Sequence, residues 1–143
     1  MAVVNWSTAA IVPSNTGLVR NMTAYVAIAA GQAVYEDLTQ GGKANLADAD
    51  ALVSSLVVGI AVNTAKAGEP VQVAISGNTI TASTGTPLVV GRMYGLSVTA
   101  GALAPEADFG TDPTTGDFPC FIGFAISTTA LYIAPIPCGV ARS

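Results

Sequence analysis

The apolar residues of this chain come in short runs, and each run is closed by Gly, Pro, Asn, Ser or Thr before a helical period can establish itself. The runs are Ala24 to Ala29, Gln32 to Tyr35, Leu56 to Val62, Pro70 to Ser76, Pro87 to Val90, Met93 to Val98, Cys120 to Ser127 and Leu131 to Ile133. Runs of this length with turn chemistry between them read as strands. The expected fold is therefore all-β, a compact β-barrel or β-sandwich of short strands.

One run shows its orientation directly. In Pro70-Val71-Gln72-Val73-Ala74-Ile75-Ser76 the larger side chains Val71, Val73 and Ile75 alternate with Gln72, Ala74 and Ser76, which sends one face to a core. Leu46-Ala47-Asp48-Ala49-Asp50-Ala51-Leu52 is the one place where a helical turn or two is expected, because Ala and Leu favour it and the aspartates can cap it. A weak internal repeat links segments roughly sixty residues apart in the same order. Tyr35, Leu46 to Asp50 and Val57-Val58-Gly59-Ile60-Ala61-Val62-Asn63-Thr64 are echoed by Tyr94, Ala104 to Asp108 and Phe121-Ile122-Gly123-Phe124-Ala125-Ile126-Ser127-Thr128. The repeat predicts two similar strand-loop-strand units, with Gly59 and Gly123 where a strand bends or another backbone comes close.

The ends of the chain look different from its middle. Trp6, Pro13 and Ser14-Asn15-Thr16-Gly17 interrupt any long pairing, so residues 1–23 are expected to form an extended arm and residues 24–134 the β domain. Ala2-Val3-Val4-Asn5-Trp6 is suited to adding a strand to a partner's open sheet edge. Residues 135–143 are expected as a surface tail, because Pro135 and Pro137 lack the amide donor a central strand needs.

Only 10% of the 143 residues are charged while 51% are apolar, against roughly 25% charged in an ordinary soluble domain. That is too little charge to cover a solitary molecule, and it favours an oligomer or a member of a larger assembly. No run approaches the ~20 apolar residues of a spanning helix, and aromatics at 6% are too few for the girdles of a membrane barrel. The net charge is −4, and Arg20, Lys43, Lys66, Arg92 and Arg142 are scattered, so no basic cluster is available for nucleic acid. Met1 to Trp6 lacks the basic and long apolar regions of a secretory signal, which predicts synthesis in the cytosol. There, Cys120 and Cys138 are expected as unpaired, small buried hydrophobes.

Catalytic constellations are hard to assemble from this chain. It has no histidine, which removes the commonest general base, the Ser-His and Cys-His pairs and most zinc sites. Lys43 and Lys66 sit in polar Gly- or Ala-rich turns where they stay protonated. Glu36-Asp37, Asp48 with Asp50, and Glu106 with Asp108 are paired carboxylates, yet none has the spacing of a calcium loop. They read as turn caps. No Gly-rich phosphate cradle is present. Tyr25, Tyr35, Tyr94, Tyr132 and the cluster Phe118, Phe121 and Phe124 are expected in core and interface packing. The reading is of a non-enzymatic protein that needs no cofactor.

Several segments carry a family resemblance. They are Ala30-Gly31-Gln32-Ala33-Val34-Tyr35, Ala44 to Ala49, Val57-Val58-Gly59-Ile60-Ala61 and Ala67-Gly68-Glu69-Pro70 through Gly77, with Val90 to Ser97 and Gly123 to Ser127 downstream. Across residues 24–133 the chain resembles the capsid decoration, or cement, proteins of tailed phages. The resemblance implies a β-rich structural protein, often a homotrimer, that binds the major capsid protein on the outer surface of the virion head and stabilises it. It brings no catalytic residues with it. By that analogy Val3, Val4, Trp6, Ile11 and Val12 are candidate capsid contacts of the arm, and Phe118, Phe121 and Leu103 are candidates for the oligomer interface. The alternative is a receptor- or glycan-binding head domain of a trimeric fibre or adhesin, which would present exposed tyrosines.

Overall fold

The computed structural model describes residues 11–81, 88–105 and 116–142. Eleven strands run in chain order: β1 Val12–Pro13, β2 Val19–Thr23, β3 Ala33–Asp37, β4 Lys43–Leu46, β5 Val57–Ala61, β6 Pro70–Ile75, β7 Thr79–Thr81, β8 Met93–Leu96, β9 Leu103–Pro105, β10 Cys120–Ala125 and β11 Ala130–Pro137. They form two antiparallel sheets, ordered β2-β6-β5-β3-β4 and β1-β7-β11-β10-β8-β9. The all-β expectation holds, in its sandwich-like form, since neither sheet closes into a barrel among the described residues.

The two orders are the same five-stranded unit written twice, β2 to β6 and then β7 to β11, with β1 added at one edge. The equivalence extends to single residues. Gly59 pairs with Val34 and Val57 with Tyr35, which leaves Val58 unpaired between them. Gly123 pairs with Tyr94 and Phe121 with Gly95, which leaves Ile122 in the same position. These are matching β-bulges. A Cβ on Gly59 would lie 2.0 Å from the Ala74 carbonyl oxygen, and one on Gly123 would lie 1.8 Å from that of Tyr132, so only glycine fits at either bulge. Gly31 donates to the Ala61 carbonyl and Ala61 to that of Gln32; Gly91 donates to Ala125 and Ala125 to Arg92. Even the turn after each unit's second strand repeats, with Thr39 N on the Asp37 carboxylate and Thr99 N on the Ser97 hydroxyl.

The repeat read from sequence is therefore larger than two strand-loop-strand pieces, and its tyrosines need a shift of one residue. By pairing, Val34 corresponds to Tyr94 and Tyr35 to Gly95. A one-residue shift in a strand exchanges faces, so the two tyrosines point to opposite sides of their sheets.

Each unit has an inner face and an outer face. The inner face of the first carries Val34, Ala61, Val71 and Val73, which close over Met22, Ala24, Ile28 and Ala65 as a small core of their own. The inner face of the second carries Ile80, Tyr94, Ile122, Leu131 and Ile133, and these share one large core with Ala33, Ile60 and Ala74 from the outer face of the first. The units thus pack outer face to inner face. Each fully buried Ile, Leu or Val contributes about 1.5–3 kcal/mol.

Several boundaries differ from the sequence expectation. Residues 1–10 lie outside the described residues, and the remainder of the expected arm belongs to the domain. Ile11 is buried in the large core, β1 pairs with β7, and β2 pairs with β6 along its whole length. The segment 14–18 is held by the fully buried Asn78, which accepts from Ser14 Oγ at 3.1 Å and Asn15 N at 3.1 Å and donates to the Asn15 and Leu18 carbonyls at 3.0 Å each. The expected tail is also corrected: β11 continues to Pro137, with Ile136 opposite Phe121 and Pro137 opposite Cys120. This is tolerated because β7 covers β11 only at Ala130 to Tyr132, and Pro135 falls where the register shifts.

Ala24 to Ala29 makes isolated bridges at Ala24 and Ile28 in place of a strand, and Leu88 to Val90 lies outside any strand. The helix expected over 46–52 is a single 3-10 turn at Val53–Ser55, because Asp48 spends its carboxylate on Asp50 N and Ser54 Oγ in a tight turn.

Candidate interaction surface

The tandem packing leaves one sheet face partly exposed. In the first unit the outer face is Ala33, Val57, Ile60 and Ala74, all buried against the second unit. The equivalent residues of the second unit are Met93, Phe121, Phe124 and Tyr132. Met93 is 39% exposed, Phe121 38% and Phe124 42%, where Ala33 and Ile60 are 0%. The positions match, the side chains are larger, and they are partly exposed where their counterparts are buried.

Strand pairing fixes the layout of this face. Phe124 lies opposite Met93 on β8 and Tyr132 on β11, and its ring centroid is 5.2 Å from that of Tyr132 with the planes tilted 34°. One step along, Phe121 lies opposite Gly95 and the exposed Ile136. The bulge at Ile122-Gly123 keeps Phe121 and Phe124 on the same side although they are three residues apart. Gly95 stands where the first unit has Tyr35, and the missing side chain leaves a notch of about 420 Å³ beside Phe121, Pro119, Cys120 and Cys138. Aromatic and Met side chains around an apolar notch are the composition of a protein interface core.

The thiols there are free. Burial pushes the Cys120 thiol up to about 11, so it stays protonated and acts as a small hydrophobe. Cys138 is exposed, contrary to the expectation of two buried thiols.

The candidate site residues distribute unevenly. Phe121 is on the open face. Leu103 is fully buried in the large core, so it packs inside the chain and is not available to a neighbour. Phe118 is half-buried and its amide donates to the Ala49 carbonyl at 2.7 Å, tying the C-terminal part of the chain to the first unit. Of the proposed arm contacts, Val3, Val4 and Trp6 lie outside the described residues, Ile11 is in the core, and Val12 is exposed on β1. Met93 and Ile136 were not singled out from sequence, and Phe124 and Tyr132 were expected in core or interface packing without being assigned to this face. The signal for three of them is the repeat itself: Met93, Phe124 and Tyr132 stand where the first unit has the smaller Ala33, Ile60 and Ala74.

The polar side chains form local turns. Asp37 accepts from Thr39 Oγ1, Asn45 Nδ2, Thr39 N and Tyr35 OH, and the hydroxyl of Thr39 above all holds its carboxyl below the usual range. Burial, followed by the Asp37 charge, raises the Tyr35 hydroxyl. Arg20 and Glu36 form an ion pair across the inner face of the first unit. Among the described residues no cluster of three potential metal ligands is present, and no helix is long and apolar enough to cross a membrane. The tyrosines are dispersed: Tyr94 is buried with its hydroxyl accepting from Val89 N, Tyr35 is engaged with Asp37, and Tyr25 and Tyr132 lie in different sheets or loops.

No protein-family model, no curated protein and no solved structure matches this chain.

Proposed function

We propose that the chain is a structural shell protein, a capsid decoration protein that binds the major capsid protein on the outer surface of a tailed-phage head and stabilises contacts between its subunits. The observation that carries this reading is the partly exposed outer face of the second unit, an apolar patch built on Phe121, Phe124, Met93 and Tyr132 at positions whose counterparts are buried in the first unit. A rigid sheet face of this kind suits a role in which contact area itself is the function. The low charge of the chain and the resemblance of residues 24–133 to phage cement proteins support the same reading. Homotrimers on the shell spread modest contacts over several capsid subunits, so that avidity supplies the retention and no catalytic group or cofactor takes part.

The test is co-sedimentation with expanded, undecorated heads. The wild-type chain is expected to pellet with heads and to raise their resistance to heat, and Phe124→Lys is expected to stay in the supernatant while keeping its fold. Equal sedimentation of the two proteins, or none by either, counts against the reading.

A further inference from the structure

The second unit lacks one ring that the first unit has. On β3 of the first unit Tyr35 lies between Val57 of β5 and Asn45 of β4, and its side chain packs against the large core. The same place in the second unit is Gly95, between Phe121 of β10 and Ala104 of β9. The notch of about 420 Å³ at this place is lined by Gly95, Leu96, Pro119, Cys120, Phe121 and Cys138, and Arg142 is the one charged side chain in its wall among the described residues. Its shape is held by the sheet. Gly95 and Leu96 belong to β8, Cys120 and Phe121 belong to β10, and Cys138 N donates to the Pro119 carbonyl at 2.9 Å. The notch meets solvent at Phe121, which is 38% exposed, and at the exposed Cys138. An apolar cavity of about 150 Å³ already holds benzene, so this one has room for a ring.

We infer that the notch receives one aromatic side chain, a phenylalanine ring, projected by the capsid subunit that docks on the second unit's outer face. The donor named here rests on the shell-docking reading, and the ring is the chemistry by which that partner is recognised at one point. The first unit supplies the template for the occupant. There the chain fills the position with a ring of its own, and in the second unit the same position is left to a partner. The template also says which ring. Asn45 and Asp37, which meet the Tyr35 hydroxyl in the first unit, are Ala104 and Ser97 in the second, so a ring without a hydroxyl leaves no polar group unpaired. Phe121 lines the notch and also belongs to the docking face, so a partner lying over Met93, Phe124 and Tyr132 passes the rim. An aromatic anchor seated in a preformed apolar pocket is the usual form of an interface hot spot.

The test titrates the pure, full-length chain with N-acetylphenylalaninamide and follows the backbone amide signals by NMR. Signals of Gly95, Leu96, Phe121 and Cys138 are expected to shift saturably, with half-saturation at about 1 mM. N-acetylalaninamide is expected to bind at least about tenfold more weakly. Gly95→Phe sets a ring on the chain's own backbone, and Cys138→Trp crowds the notch from its exposed rim. Each is expected to abolish the shifts and to weaken binding to expanded heads about tenfold, with an unchanged denaturation midpoint establishing that it folds. Should Gly95→Phe unfold, Cys138→Trp carries the comparison. No saturable shift in the wild-type chain, or an equal response to the two amides, overturns the notch as an aromatic site. Heads that bind the folded variants as tightly as the wild type overturn the capsid ring as its occupant. A wild-type chain that takes the probe and ignores heads overturns the shell reading and the donor with it, while the aromatic site stands.

Discussion

The first and second units share a strand order, a bulge and a glycine at its centre, yet each meets the rest of the molecule differently. The outer face of the first is made of Ala33, Ile60 and Ala74, small or compact side chains that let a second sheet approach and exclude water. In the second the same face carries Met93, Phe124 and Tyr132 and is partly exposed. The edges differ as well: β7 holds β1, and β2 ends at a groove flanked by an ion pair. A unit that packs outer face to inner face would stack without limit if every copy presented both. Here the first inner face is covered by Ile28 and Ala65, with the Arg20–Glu36 pair across it, while the second outer face is partly exposed.

The largest effect that tests this comparison is at the bulges. Gly59→Ala and Gly123→Ala each drive a Cβ into a backbone carbonyl oxygen and are expected to cost about 4 kcal/mol, near the upper end for single substitutions. Denaturant midpoints for both variants should fall by similar amounts, and a neutral result at either position breaks the equivalence of the units. Next come the paired faces. Ile60→Ala should cost about 3 kcal/mol as a core cavity, while Phe124→Ala at the corresponding position should cost under about 1 kcal/mol in the isolated chain. Asn78→Ala leaves Asn15 N and the Leu18 carbonyl without their partner and should cost about 2 kcal/mol in thermal or denaturant unfolding. That loss belongs to the second unit's edge alone, because the segment 14–18 is held there.

The smallest effect concerns pH. Asp37 and its counterpart Ser97 make the same turn, and only the first titrates. The native carboxyl of Asp37 lies below its unfolded value of about 3.9. Its contribution to stability is therefore present above about pH 4 and is lost as pH falls through the lowered native value. The stability difference between wild type and Asp37→Asn should shrink as acid is added, and a difference that stays constant below pH 3 would remove the carboxylate from the turn.

Much of the fold was legible because its strands are short apolar runs with glycine at the turns. β5, β6, β8 and β10 fall where Val57–Ala61, Pro70–Ile75, Met93–Leu96 and Cys120–Ala125 announce them. The strands β2 and β4 were hidden, since Arg20, Asn21, Lys43 and Asn45 give no apolar alternation, and their pairing comes from neighbours distant in sequence. The prolines of β11 argued for a tail, and the argument failed because the strand is uncovered by β7 at that end. At the interaction surface, Phe121 was legible as an aromatic in a strand, but Leu103 was not separable from it. Both are large and apolar, and only the register of β8 with β9 and β10 sends one inward and the other out.

The central claim is that the second unit's outer face is the surface on which the molecule docks. Hydroxyl-radical footprinting of the chain, free and bound to expanded heads, reads that face side chain by side chain. Oxidation of Met93, Phe121, Phe124 and Tyr132 is expected to drop together on binding while that of Tyr25 changes little. Decorated heads on which those four residues remain as reactive as in the free protein would contradict the account.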